Sequence, residues 1–355
     1  MPYETHAPKT SFDDGAFLFL QLCAIIINSM AHVLKKSEAK IVIIGGGTGV
    51  FTVLSGLKNY FYNLTAIVTM ADDGGSAGIL REDFGILPPG DVRRALVALA
   101  KTDNKALSRL FNYRFHEGAG LSGHNFGNLM LTALTRITGS FEKAISEASR
   151  ILASQGEVIP VTRQMARLYA KLENGQVIKG ETNIDIPSHD GNIKIKQVWL
   201  KPAAKLNPRA RKAILEADAV ILGPGDLYTS IIPNILVRGM GQILKKTEGK
   251  IIYFVNTMTK HGETNGFQAS DFLRTMEKYL GKDVIDYVVV NGKKPNTKRL
   301  KSYTAENSSL VKYDKKNFRE NLKIFVADVI RSRGFMRHDP GKTARLIKKL
   351  IRQLA

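Results

Sequence analysis

The sequence predicts an α/β protein built on a Rossmann-like, doubly wound and mainly parallel sheet, with a small antiparallel insertion. Short apolar runs of strand length (Ile41-Val42-Ile43-Ile44, Ala66-Ile67-Val68-Thr69 and Ala219-Val220-Ile221-Leu222) alternate with helix-patterned stretches, as strands buried on both faces do. Each run ends in a glycine-bearing turn, at the strand end where open α/β sheets bind ligands. Residues 157–199 read differently: Ala166, Leu168, Ala170 and Leu172 alternate with other residues up to the hairpin dipeptide Asn174-Gly175.

In chain order, a first strand at Lys40–Ile44 runs into Gly45-Gly46-Gly47-Thr48-Gly49 and a helix over Val50–Tyr60. A second strand, Leu64–Met70, is followed by Asp72-Asp73-Gly74-Gly75-Ser76 and a long Gly- and Pro-rich loop to Asp91. Asp91 reads as an N-cap first and a ligand residue second, because Val92, Ala95, Leu96 and Leu99 follow at one-faced helical spacing. Helices are expected over Asn104–Phe115, His124–Thr138 and Phe141–Ala153. Beyond the insertion, with its return strand Gln176–Gly180 and a further strand near Ile193, Ile195 and Val198, the alternation resumes with a helix from Arg209 and a strand ending at Leu222. A helix from Ile231, a strand Ile251–Asn256, a helix from Ser270 and a strand Tyr287–Asn291 follow. Gly292–Lys323 is charged and unpatterned, and Thr343–Leu354 is an amphipathic helix.

The chain has 355 residues, 44% of them hydrophobic and 24% charged, ample for one large globular core. A lone Cys23 excludes an internal disulfide framework and a Cys-rich metal site, and suits a reducing, cytoplasmic compartment. The net charge of +20 is dispersed in short clusters, without aromatic interleaving or a nucleic-acid-binding signature, so a basic surface with an anionic ligand is preferred to a nucleic-acid partner. Residues 1–37 stand apart as an N-terminal extension. Its apolar run Ala16–Ile27 is shorter than the ~20 residues of a membrane span, and only Lys9 supplies positive charge before it. A docked helix, a weak anchor and translation assigned upstream of Met30 are its three readings; no integral span is expected. Residues 38–355 form a single expected domain.

The turns carry the chemistry. Glycine lets backbone N–H groups approach phosphate oxygens, and a helix N-terminus favours negative charge. Gly46, Gly47, Thr48 and Gly49 therefore read as a phosphate cradle, although Val50 stands where a dinucleotide fingerprint has its last glycine and no Walker lysine follows. Gly223-Pro224-Gly225-Asp226 reads as a second cradle. Asp72 and Asp73 suit ribose hydroxyls, a Mg²⁺ on a diphosphate, or an Asx-turn, with Asp73 favoured for ligand contact. Arg94 either forks onto phosphate or pairs with an acid. His124 and Asn128 lie four apart on one helical face, beside Asn125 and near Ser76 in the expected site, and His124 as a general base is the weakest of these assignments. Asn256 and Lys260 end the next strand and begin its loop.

These motifs, with Pro88-Pro89-Gly90-Asp91-Val92-Arg93, Asn256-Thr257-Met258-Thr259, Gly262-Glu263-Thr264 and Arg337-His338-Asp339, resemble in order those of the bacterial gluconeogenesis factor family (YvcK), which shares a superfamily with 2-phospho-L-lactate transferase (CofD). The resemblance runs from about Lys40 onward. It implies a Rossmann-like core, a cleft for a UDP-sugar, notably UDP-N-acetylglucosamine, and a role linking gluconeogenic growth to cell shape and peptidoglycan synthesis. It also implies that Gly223 and Gly225 line phosphates, that Asn256 lies near sugar or base, and that Arg337 contacts ligand. Asp226 and Asn125 replace the serine of many relatives, and Pro340 the threonine of some. We therefore expect a cytoplasmic, regulatory homo-oligomer with envelope-synthesis protein partners. A Mg²⁺-dependent phospholactyl or phosphoryl transferase is the alternative, and an NAD-binding protein a weaker one.

Overall fold

The structure, a computed structural model, describes residues 36–101 and 105–354, and the described residues from Glu38 onward pack as one compact unit. The expectations for the N-terminal extension and for Asn104 lie outside the described residues. Seven strands form the main sheet: β1 (Ser37–Gly45), β2 (Phe61–Val68), β3 (Glu157–Pro160), β7 (Ala219–Leu222), β8 (Lys250–Phe254), β9 (Tyr287–Asn291) and β10 (Lys323–Ala327). Their order is β10-β9-β8-β7-β1-β2-β3. The chain winds outward from β1 through β2 to β3, returns to the centre, and winds outward again from β7. This is the doubly wound order, with its topological switch between β1 and β7. Those two strands pair in parallel, Ile41 with Ala219 through Ile44 with Leu222, and all eight side chains are at most 2% exposed. Such complete burial explains why these strands read as unbroken apolar runs.

A separate antiparallel sheet holds β4 (Arg167–Leu172), β5 (Val177–Lys179) and β6 (Ile195–Lys201) in the order β5-β4-β6. The hairpin at Asn174-Gly175 joins β4 to β5, as its sequence predicts. Tyr169 and Trp199 sit opposite one another on β4 and β6, their rings stacked with centroids 5.6 Å apart.

The structure corrects several expectations. Glu157–Pro160 does not belong to the insertion but is β3, paired in parallel with β2. The expected loop after Asp73 contains a helix, Gly75–Phe84; its glycines disguise it, yet at Gly78 a Cβ would stand 2.1 Å from the Asp73 carbonyl oxygen. A short helix, Glu181–Asp185, follows β5. The stretch from Gly292 contains a helix, Thr297–Ala305, and ends at the edge strand β10, whose partial exposure hides its pattern. Asp91 is not a helix cap: the helix is Gly90–Leu99, Pro89 holds the N-cap position, and the Asp91 carboxylate bonds a different helix.

Among the described residues no helix is long and apolar enough to cross a membrane.

Candidate functional site

The turns after β1, β2, β7 and β8 open into one cleft of about 650 Å³ at the carboxyl ends of the strands. The turn after β1 leads directly into the helix Gly47–Leu57. It lies so close to the turn after β7 that a Cβ on Gly49 would sit 1.9 Å from the Pro224 carbonyl oxygen, and one on Gly46 would sit 2.6 Å from an Asp91 carboxylate oxygen. No side chain fits at Gly49. The Gly47 N–H donates to Asp91 Oδ1 at 2.9 Å, so Asp91 already occupies part of that helix N-terminus. Thr48 and Gly49, in the same first turn, have N–H groups with no helical acceptor and line the cleft.

Buried Asp91 and half-buried Asp72 form an acidic pair. Burial pushes the Asp91 carboxyl up, although Arg94 and the Gly47 N–H pull the other way; Arg94 Nη1 donates to Asp91 Oδ1 at 3.2 Å. Burial first, and the Asp91 charge second, push Asp72 up to about 6. Asp72 accepts the Gly74 N–H at 3.0 Å, the Asx-turn, and also lines the cleft. Asp73, favoured from sequence for ligand contact, does not line it. Its Oδ1 accepts the Thr182 N–H at 2.9 Å and fastens the insertion to the β2 turn. That latch brings Glu181 and Asp185 to the cleft wall, and burial, then Asp72, push Glu181 up to about 9.

His124, Asn125 and Gly223 also lie outside the lining. The Asn125 side chain caps the helix Phe126–Thr138 by accepting from the Gly127 and Asn128 N–H groups. The Ser76 hydroxyl oxygen is 3.3 Å from His124 Nδ1 and accepts from the Asn125 N–H and from Asn128 Nδ2, both at 3.2 Å. Asn128 in turn accepts from Arg93 Nε at 3.1 Å. These residues are gathered as expected, but as a buried polar chain of which Ser76, Asn128 and Arg93 reach the cleft and His124 and Asn125 do not. Gly223, with φ of +75°, serves the strand end, its N–H donating to the Ile44 carbonyl at 2.9 Å.

Beyond β7 the wall holds Gly225, Asp226 and Lys260. The Lys260 ammonium ion-pairs with Asp185, with Asp226 at 3.0 Å and with Glu263 at 3.5 Å. Burial acts to lower Lys260, but Glu263, Asp226 and Asp185 outweigh it and hold it charged. Glu263 is pushed up to about 8 by burial despite Lys260, and it accepts from the Tyr228 N–H and the Thr229 hydroxyl, both at 3.0 Å. The three carboxylates place oxygens within 4.8 Å of one another, as metal ligands would, but the lysine fills that role.

At the end of β8, Asn256 lines the cleft with its Oδ1 lacking a hydrogen-bond partner among the described residues. The Thr257 hydroxyl donates to the Met336 carbonyl at 2.6 Å and holds Phe335–His338 across the opening. Arg337 lines the cleft with its guanidinium 5.2 Å from the centre of the exposed Phe335 ring. Sequence reasoning missed Arg93, Arg114, Glu181, Asp185, Phe335 and His338; only Arg93 and His338, inside quoted motifs, carried a local signal.

Residues 41–330 match the family described as 2-phospho-L-lactate transferase CofD. A relative from Nostoc sp. is 45% identical over 325 residues, covering 90% of this chain and 70% of its own length. The gluconeogenesis factor of Bacillus subtilis is 39% identical over 323 residues, covering 89% of this chain and 99% of its own. A crystal structure of a UPF0052 family member from Bacillus halodurans superposes with a TM-score of 0.83 at 37% identity, over 88% of this chain and 100% of that one.

Proposed function

The chain belongs to the 2-phospho-L-lactate transferase CofD family, among its gluconeogenesis factors, and from that premise we propose that its cleft binds a UDP-sugar, with UDP-N-acetylglucosamine as the foremost ligand. The observation that carries this reading is the pair of facing turns at the β1–β7 switch, packed too tightly for any side chain at Gly49. The free amides of Thr48 and Gly49, with Arg94 beside them, suit a diphosphate. Asn256 and Arg337 lie further along the wall, where the remainder of a nucleotide sugar would reach. In this reading the protein is a cytoplasmic regulator that senses the nucleotide sugar and couples carbon use to envelope synthesis through protein partners.

In this reading the donor set for Mg²⁺ is Asp72 with Asp91 rather than Asp72 with Asp73, because Asp72 and Asp91 line the cleft and Asp73 does not. A cation there would relieve the repulsion between the two carboxylates. Bound at that point, Mg²⁺ would neutralise diphosphate charge.

A transferase is the second reading, favoured by Glu181, a carboxyl held protonated at neutral pH on the cleft wall and so able to donate a proton.

Calorimetric titration with UDP-N-acetylglucosamine, GDP and NAD, with and without Mg²⁺, tests both. Saturable UDP-sugar binding that is lost in Arg337→Ala supports the regulator. Tight, Mg²⁺-dependent GDP binding overturns it, and turnover of bound ligand moves the protein to the transferase class.

A further inference from the structure

We propose that the cleft carries a second anion-binding subsite, centred on Arg93, which takes a carboxylate or phosphate group other than the nucleotide diphosphate. The reading of the cleft as a nucleotide-sugar site supplies only the identity of the neighbouring ligand.

Arg93 and Arg94 are consecutive on the helix Gly90–Leu99, so their side chains leave it about 100° apart. Arg94 turns to Asp91 and the first glycine turn. Arg93 turns the other way, towards the helix Phe126–Thr138, and is only 7% exposed while lining the cleft. Its stem crosses Gly127, where a Cβ would stand 2.8 Å from Arg93 Cδ.

The guanidinium is gripped by neutral groups alone. Nε donates to Asn128 Oδ1 at 3.1 Å and Nη1 donates to Asn112 Oδ1. Each amide is fixed in turn: Asn128 Nδ2 donates to the Ser76 hydroxyl at 3.2 Å, and Asn112 Nδ2 to the Ser108 carbonyl at 3.1 Å. The plane of the fork is therefore set by two oriented asparagines. Among the described residues Arg93 forms no ion pair, and its Nη2 forms no hydrogen bond. Arg114 also lines the cleft; its Nη1 donates to the Gly123 carbonyl at 2.5 Å, and it too lacks an ion pair among the described residues.

A guanidinium taken out of water without a counter-anion is costly, and amide oxygens offset only part of that cost. Asp91 and Asp72 attract the Arg93 charge without bonding it, and Arg94 and Arg114 repel it. A planar anion received by the free edge of the fork resolves this, because charge-assisted, two-point bonds are the strongest that such a group makes. The anion can be joined to the sugar of the nucleotide ligand or arrive as a separate small acid. The chemistry at Arg93 is the same in both cases.

Calorimetry on the full chain separates the two sources. UDP-N-acetylglucosamine is compared with UDP-glucuronate and UDP-N-acetylmuramate, and inorganic phosphate is titrated into protein saturated with UDP-N-acetylglucosamine. We expect either a tighter acidic sugar nucleotide, by about tenfold or more, or phosphate binding to the saturated protein. Arg93→Gln is expected to weaken the anion-bearing ligand about 10–100-fold more than the neutral one, with partial recovery in Arg93→Lys. If Arg93→Gln does not fold, Arg114→Gln, at an exposed position, is expected to reduce the same gain. The subsite is overturned if the wild type shows no anion preference and no phosphate binding, or if the gain survives in both glutamine variants. Phosphate binding that is lost in Arg93→Gln, without any UDP-sugar binding, would sink the nucleotide reading and leave the subsite standing; UDP-sugar binding with no anion preference and no phosphate binding overturns the subsite alone.

Discussion

Replacing Asp72 by asparagine perturbs the charge at the heart of the cleft while keeping its shape. The amide oxygen introduced by Asp72→Asn would still accept the Gly74 N–H, which lies 3.0 Å from Asp72 Oδ1. Burial and the Asp91 charge raise Asp72 from 3.8 to about 6, so between about pH 4 and pH 6 the folded chain binds more protons than the unfolded chain. Stability therefore falls as pH rises through that window, and the whole penalty is present above it. The difference between 3.8 and about 6 corresponds to about 3 kcal/mol against the charged form. That is a ceiling, because Asp72 keeps some contact with solvent and titrates jointly with Asp91. Asp72→Asn should then be about 2–3 kcal/mol more stable than wild type at pH 7.5, and equal to it near pH 3.5, where the wild-type carboxyl is protonated. Urea unfolding of the ligand-free chains at both pH values measures the difference directly and cancels the other carboxylates. A variant equal to or weaker than wild type at pH 7.5, or a difference that ignores pH, would refute the electrostatic account of this pair.

The glycine turns predict that Gly49→Ala, with a Cβ 1.9 Å from the Pro224 carbonyl oxygen, prises the two cradles apart; we expect a loss of about 1–3 kcal/mol by denaturation and at least tenfold weaker UDP-sugar binding by calorimetry. Asp73→Ala removes the bond to the Thr182 N–H, so hydrogen exchange should quicken across residues 177–190 while β1 and β7 stay protected. Lys260→Ala leaves the fully buried Glu263 side chain facing Asp185 and Asp226 without a cation, which should cost about 3 kcal/mol. The same variant should acquire a Mg²⁺- or Ca²⁺-dependent rise in melting temperature larger than that of wild type, as read by calorimetric scanning.

The central strands were legible because burial on both faces leaves an apolar run with a glycine turn at its end. Ile41–Ile44 and Ala219–Leu222 had both marks, and together they located the switch point where the cleft opens. The strand β10 had neither, since an edge strand in a charged stretch needs no continuous apolar face. The helix Gly75–Phe84 was masked by its glycines, of which Gly78 packs against the Asp73 carbonyl oxygen. The site divided in the same way. Asp72 and Asp73 are adjacent and chemically alike, and only the position of Thr182, 109 residues further on, decides which of them faces the cleft. Arg93 looked like any arginine beside Arg94 because its burial depends on Asn112, Asn128 and Gly127 arriving from other elements. The grouping of Asp185, Asp226 and Glu263 around Lys260 likewise joins separate loops whose spacing in sequence bears no relation to their distance in space.

The place of β1 between β2 and β7 has a consequence for the birth of the molecule. Lys40 and Asp218, bonded through the Lys40 N–H and the Asp218 carboxylate at 2.7 Å, are 178 residues apart. At a synthesis rate of about 5–20 residues per second, one flank of β1 waits roughly 10–35 seconds on the ribosome for its neighbour. For that interval an apolar strand edge is open to pairing with other chains, the hazard that nascent-chain chaperones exist to shield. A ligand held between the turns after β1 and β7 could not assist at this stage, because those turns come from opposite sides of the gap.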